Sequence, residues 1–333
     1  MSFANFWAAA LALSLLLYVL LDGFDLGVGM LFGLTRDERQ RRVMLSTVAP
    51  VWDGNETWLV LAGTGLFAAF PLVYALLLSA FYLPLSLMLG ALILRGVAFE
   101  FRHQAGPRMR RVWDLGFAGG SFVASFVQGA AIGALVHGLP VGADGRFAGA
   151  GTLDWLSPFA VLCGIGLCVG YALLGATWLV LKGDGEIRDR SYRLLPRLLA
   201  GVLVFLACAF AYALAAHLQV MHRWVERPWL AVFPAIGVLA GGLMLAGMRL
   251  RRDGWPFAAA AITFTAAFAT LAASFLPYMV PYSVTIARAA APESSLRFFF
   301  WGAGAFVLPL VLVYTITIYA VFKGKVDPAA RYH

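Results

Sequence analysis

The chain has 333 residues, of which 62% are hydrophobic and 13% charged, and its mean hydropathy is +0.83. A soluble domain cannot carry that composition, so this is a polytopic membrane protein. The formal net charge of +8 sits in short connecting loops, with no basic stripe of interleaved aromatics, which argues against a nucleic-acid partner.

Apolar runs of spanning length fall at 6–32, 47–70, 72–101, 114–138, 157–181, 197–222, 228–248, 256–282 and 297–322, separated by charged or Pro/Gly-rich breaks. Nine transmembrane helices are predicted. The first has no basic segment ahead of it and no small-residue cleavage site behind it, so it reads as a retained helix rather than a signal peptide. Phe70-Pro71 marks a tight link between the second and third, because proline stops one helix and suits the first turn of the next. Joins 1–2, 3–4, 5–6 and 7–8 and the C-terminal tail hold nineteen Lys and Arg, whereas the opposite side, with Arg146, Arg223, Arg227, Arg288 and Arg297, holds five. The positive-inside rule then puts the N-terminus outside and the C-terminus in the cytoplasm. Gly29 with Gly33, Gly129 with Gly133, Gly166 with Gly170 and Gly237 with Gly241 have the GxxxG spacing that lets membrane helices approach closely. Cys163, Cys168 and Cys208 lie in apolar stretches without a CxxC pair and read as packing residues.

Two acid-bearing segments interrupt this apolar pattern: Asp22-Gly-Phe-Asp25 in the first span and Trp52-Asp53-Gly-Asn55-Glu56-Thr-Trp58 in the second. Carboxylates inside a bilayer are costly and mark function by default. At ~1.5 Å per residue, Asp22 and Asp25 lie roughly 24–28 Å in from Phe6, toward the cytoplasmic end. Asp53 and Glu56 share a helical face near the middle, Arg95 lies about 10 Å before Arg102 on the third span, and Glu100 is nearer the surface. Asp25, Asp53, Glu56 and Glu100 thus make a candidate proton-intake series, with Asp22, Asn55 and Arg95 in support. The structural alternative has Asp53 paired with Arg95, and Asp22 and Glu100 merely touching interfacial water. Trp52 and Trp58 flank the motif, as packing residues or as the lining of a neighbour's cofactor. Trp7, Trp113, Trp155, Trp224, Trp229, Trp255 and Trp301 stand near span ends as interfacial anchors.

His103, His137, His217, His222 and His333 all fall at span ends or the terminus and no C-x-x-C-H occurs, so no metal site is expected, although ligation by one of the nine methionines stays open and Met244 and Met279 read as packing residues. Three functions fit the residues: an oxidoreductase subunit whose acids pass protons to a partner's redox centre, a proton-coupled secondary transporter, or a passive scaffold. A transporter usually shows broken helices in two related halves around a midplane site, whereas here the polar residues cluster in spans one to three.

LDGFDLGVGML at 21–31, RRVMLSTVAPVWDGNETWLV at 41–60, GLFAAFPLVYALLLSAFYLP at 65–84, LRGVAFEFR at 94–102, WDLGFAGGSFV at 113–123 and FLPYMVPYS at 275–283 together resemble subunit II of the cytochrome bd-type quinol oxidases. The resemblance implies an all-α subunit of two four-helix bundles and one peripheral helix, divided at 1–140, 141–283 and 284–333. It implies a homologous-fold partner, subunit I, holding haem b558, haem b595 and haem d, and a complex in the bacterial inner membrane that oxidises quinol, reduces O₂ to water and builds a proton-motive force. Small single-helix accessory subunits, surrounding lipid and a structural quinone are further implied associates, and Asp25, Asp53 and Glu100 map by motif onto a hydrophilic route. Glu100 stands where the family often has Asp. The short loops after the fourth and sixth spans resemble the cyanide-insensitive branch.

Overall fold

The computed structural model describes residues 2–142, 147–149 and 151–326; Arg146 and His333 lie outside the described residues. The chain begins with α1 (Phe3–Gly33), capped by the Ser2 hydroxyl, which accepts from the Asn5 N–H at 3.3 Å. The amphipathic α2 (Glu38–Val48) is capped by Asp37, and after a break at Ala49–Val51 come α3 (Trp52–Ala69), α4 (Pro71–Ala80) and α5 (Tyr82–Phe101). Next are α6 (Pro107–His137), α7 (Pro158–Lys182), α8 (Gly185–Ala215) and the short α9 (Gln219–Glu226), then α10 (Val232–Arg249) and α11 (Gly254–Phe275). A two-stranded turn, Tyr278–Val280 against Val284–Thr285, leads into α12 (Ile286–Ala289), α13 (Glu293–Phe299), a π-helical turn at Phe300–Gly304, and α14 (Ala305–Val321).

Eight helices are long and apolar enough to cross a membrane, or up to nine with the α3–α4 pair, which bends by 120° at Phe70-Pro71. The third predicted span is not one continuous rod: Phe81 divides it into α4 and α5. Three further boundaries move for the same reason, that hydropathy marks the apolar stretch and not the hydrogen-bonded helix. The sixth helix starts at Gly185, twelve residues before its apolar run; the eighth stops at Phe275; and the ninth is interrupted by the π turn.

At the centre lies α1, with α3, α6, α7 and α11 packed around it. Its closest approach is to α7, where Gly27 and Gly175 meet backbone to backbone, and a Cβ on Gly175 would lie 2.5 Å from the Gly27 carbonyl carbon. Only glycine permits that spacing, and a bilayer rewards it because close packing, not water exclusion, holds helices together. Phe24 on the same face stacks on Trp178, ring centroids 4.0 Å apart.

Of the GxxxG pairs, Gly29 and Gly33 pack on Ser121 and Ala118, and Gly129 and Gly133 on Gly164, Ala160 and Cys163. Gly166 and Gly170 lie instead under the rings of Phe205 and Phe264, and Gly237 and Gly241 meet no neighbour among the described residues. The tryptophans also divide. Trp229 and Trp301 are exposed, but Trp7 and Trp155 are buried: Trp7 stacks on Phe299 at 4.1 Å and donates to the Leu296 carbonyl, so it is a core residue rather than an interfacial anchor.

The basic connections gather on one face through ion pairs. Arg102 at the end of α5 reaches Glu38 of α2 at 2.8 Å, and Arg41 of α2 reaches Asp114 of α6 at 2.7 Å. Arg190 of α8 donates to Gln40 of α2, and Lys325 of the tail pairs with Asp184 and Asp253.

Candidate functional site

Helical periodicity sets the two acids of α1 three residues apart on one side, yet they take different partners. Asp22 Oδ1 lies 2.8 Å from Arg95 Nη1, with side chains only 0% and 2% exposed. Asp25 Oδ2 accepts from Asn55 Nδ2 at 2.7 Å. The same amide nitrogen reaches the Leu21 carbonyl at 3.2 Å, and Asn55 Oδ1 accepts from the Tyr319 hydroxyl of α14 at 2.9 Å. Glu56, one position on from Asn55, comes within 3.4 Å of Arg95 Nη1, an ion-pair distance without hydrogen-bond geometry.

Asp22 is therefore no interfacial group, and Arg95 is paired with Asp22 and Glu56 rather than with Asp53. Asp53 and Glu100 are both exposed on the isolated chain. Each follows an aromatic of the α3–α5 contact, where the Trp52 and Phe99 rings lie 5.3 Å apart. Trp58 is fully buried, and its indole N–H is without a partner among the described residues, as are Asp22 Oδ2 and Asp25 Oδ1. Burying two carboxylates and a guanidinium costs several kcal/mol per ion before pairing repays it. Pairing is incomplete here, because Asp22 Oδ2, Asp25 Oδ1 and Glu56 Oε1 have no hydrogen-bond partner among the described residues. The cluster's chemistry is that of acids able to take up and release protons beside one fixed cation.

The polar region reaches beyond the residues marked in the sequence. Gln128 of α6 donates to the Tyr18 hydroxyl at 2.8 Å and accepts from Tyr171 of α7 at 2.9 Å, one helical turn along α1 from Asp22. Tyr18 lies four residues before Asp22, and Gln128 is an amide deep in an apolar run; those spacings were the available signals. Tyr319 gave none, since a tyrosine near a span end usually reads as an interfacial anchor. The helices thus meet at one polar centre drawn from α1, α3, α5 and α14 with α6 and α7 behind it, not from the first three spans alone.

On the basic face, Asp114, unmarked within WDLGFAGGSFV, bonds both Arg41 and Arg102. Asp253 accepts from Arg188 at 2.8 Å and from Tyr192 at 2.8 Å, with Lys325 at 3.0 Å. Burial pushes the Asp253 carboxyl up, but the bonds from Arg188, Lys325 and Tyr192 outweigh it and bring it down to about 2. Because this lies below the ordinary value of ~3.9, the contribution is complete above ~3.9 and is lost as pH falls through 2. Asp253→Asn is expected to loosen the tail at neutral pH, leaving it held through Lys182, read as faster proteolytic clipping after residue 322. The unaltered protein should show that clipping only on acidification below ~4.

The four described histidines, His103, His137, His217 and His222, are all exposed, at or beside helix ends, so no buried histidine exists among the described residues.

A bundle of eight or nine helices long and apolar enough to cross a membrane is the architecture of an integral membrane protein. The model for cytochrome bd terminal oxidase subunit II matches residues 3–322, and the chain belongs to that family. It is 32% identical to the cytochrome bd-I ubiquinol oxidase subunit 2 of Escherichia coli K12, over 96% of this chain and 94% of that protein. It is 31% identical to the cytochrome bd ubiquinol oxidase subunit 2 of Bacillus subtilis, over 98% and 97%. Its fold is similar to a chain of the bd oxidase from Geobacillus thermodenitrificans, with a TM-score of 0.80 and 19% identity over 96% of this chain and 99% of that one. The protein is thus a subunit of a cytochrome bd quinol oxidase, an oxidoreductase complex of the respiratory chain.

Proposed function

We propose that this chain supplies the complex with its proton intake, carrying protons from the cytoplasm toward haems b558, b595 and d held by subunit I. The single observation that carries the reading is the buried cluster of Asp22, Asp25, Asn55 and Arg95, with the partly exposed Glu56 at its edge and Asp22 Oδ2 and Asp25 Oδ1 unpartnered. Asp53 and Glu100, exposed beside the α3–α5 seam, are the outer members of the series, where they exchange protons with water or with subunit I. Trp52 and Trp58 shape that seam. The haems supply the redox chemistry when bound; the residues of this chain orient, hold and pass protons. The absence of buried histidines among the described residues supports placing the haem ligands on subunit I.

In this reading the N-terminus is outside, the basic face is cytoplasmic, and the chain lies in the bacterial inner membrane as two bundles, 1–140 and 141–283, with 284–333 peripheral. The complex oxidises quinol, reduces O₂ to water and generates a proton-motive force. A structural quinone and small single-helix subunits are further components. Family membership leaves the transporter reading without support.

The test uses the assembled oxidase. Asp53→Asn is expected to slow quinol-driven oxygen consumption roughly tenfold with haem content retained, less than the ~10²–10⁴ typical of a group transferring a proton in the chemical step. Glu100→Gln should have a smaller effect, since water bypasses a surface donor. Wild-type turnover in both variants would remove the outer acids from the route, and an effect of Glu100→Gln larger than that of Asp53→Asn would reverse their order.

A further inference from the structure

Between α2, α7, α14 and the tail lies a cavity of about 310 Å³ on the basic face. Ser46 and Thr47 line one wall and Trp178 and Lys182 another, with Tyr319 and the tail segment 322–326 completing it. The tail is tied over it: Lys182 Nζ donates to the Phe322 and Gly324 carbonyls, Val326 N–H donates to the Lys182 carbonyl at 2.9 Å, and Lys325 pairs with Asp253. At about 30 Å³ per water in the liquid, the space holds several waters. Tyr319 lines it, and its hydroxyl donates to Asn55 and so stands one residue from Asp25.

Asn55 is saturated here. With Tyr319 donating to its oxygen, its amide nitrogen must face Leu21 and Asp25, which leaves Asp25 Oδ1 as the free acceptor. An amide does not relay protons as water does, so the Tyr319–Asn55 contact is not itself a wire; it holds Asn55 in the orientation that leaves Asp25 Oδ1 free. One turn deeper on the same side of α14, Thr315 Oγ1 is also buried without a partner among the described residues. Asp25 Oδ1 thus lies next to the Asn55 end of the Tyr319–Asn55 contact, an acceptor that water entering past it would meet.

We infer that the cavity beneath the C-terminal tail is a second aqueous inlet to the acidic cluster, separate from the Glu100 surface, with the Tyr319–Asn55 hydrogen bond as its inner gate. This rests on the proton-intake reading above. Tyr319 is a positioning residue: it fixes the orientation of Asn55 and thereby which oxygen of Asp25 is free. Protons entering here come from bulk water on the basic face, and no co-reactant is required.

The assembled oxidase provides the test. Tyr319→Phe should lower turnover severalfold with haem content unchanged, alter the solvent deuterium isotope effect, and add to the loss caused by Glu100→Gln in the double variant. In a Cys208→Ser background, Ser46→Cys should react with a charged, membrane-impermeant thiol reagent applied to the basic face, and the bulky adduct should slow turnover. If Tyr319→Phe does not assemble, the Ser46→Cys result decides by itself. Wild-type turnover for Tyr319→Phe alongside slowed Glu100→Gln and Asp53→Asn would overturn the second inlet while leaving the route intact. Wild-type turnover in all three would overturn both. A Ser46→Cys thiol that stays unmodified while one at exposed Asp184 reacts, or that is modified with no change in turnover, would also overturn the inlet.

Discussion

Replacing Arg95 with leucine is expected to abolish accumulation of the assembled oxidase. The guanidinium is 2% exposed, 2.8 Å from Asp22 and 3.4 Å from Glu56. Its removal leaves the wholly buried Asp22 with no cation beside it. Breaking a buried pair by deleting one partner costs about 3–5 kcal/mol, a large share of the ~5–15 kcal/mol that usually holds a fold together. Arg95→Lys should fall between, because it keeps a positive charge but on a shorter side chain that does not place an ammonium where Nη1 meets Asp22 and Glu56. Pairing Arg95→Leu with Asp22→Asn should restore part of the loss, since the stranded charge is then gone. The readout is haem absorbance per unit of membrane protein together with the amount of purified complex. Normal yield from Arg95→Leu alone would show that the ion pair is dispensable.

Gly27→Val is the second substitution with a large expected effect, through backbone contact instead of charge. A Cβ at this position would strike the Tyr171 carbonyl and come within 2.9 Å of the Gly175 nitrogen, neither of which is a flexible side-chain end. α1 and α7 would have to part, shifting Asp22 and Asp25 with them. Gly27→Ala should cost at least the ~1–3 kcal/mol typical of overpacking, and Gly27→Val more. Gly63 and Gly90 are internal controls: a Cβ there meets nothing, so alanine should be neutral or gain up to ~1 kcal/mol from helix propensity. Thermal inactivation of the purified complex separates the two outcomes. Equal midpoints for Gly27→Ala and Gly63→Ala would contradict the close contact.

The sequence displayed the parts of this molecule that depend on composition. Runs of apolar residues located the spans, Phe70-Pro71 located the sharp reversal, and the distribution of Lys and Arg foretold that the basic connections would meet on one face. Asp22, Asp25, Asn55, Glu56 and Arg95 stood out because polar groups in lipid are expensive. What periodicity could not supply was pairing between helices distant in the chain. Asp53 and Glu56 share a helical face, yet only Glu56 approaches Arg95, because the rotation of α3 against α5 is set by packing of Trp52 on Phe99 and Gly96. Tyr319 is 264 residues from Asn55, and only the folded chain brings them together. The GxxxG spacings likewise named candidates for close approach but not their partners, and the tightest contact, Gly27 with Gly175, spans two helices and no single motif.

The central claim is that the buried acids of α1, with Glu56 of α3 beside them, conduct protons for oxygen reduction elsewhere in the complex. Time-resolved proton uptake from a weakly buffered, dye-containing medium, after the fully reduced complex is mixed with oxygen, tests it most directly in Asp25→Asn. That change keeps the shape of the side chain beside Asn55 and removes its capacity to exchange a proton. The account predicts unchanged haem content and unchanged oxygen binding, with proton uptake slowed roughly tenfold or more. Proton uptake at the wild-type rate in a fully assembled Asp25→Asn complex would contradict it.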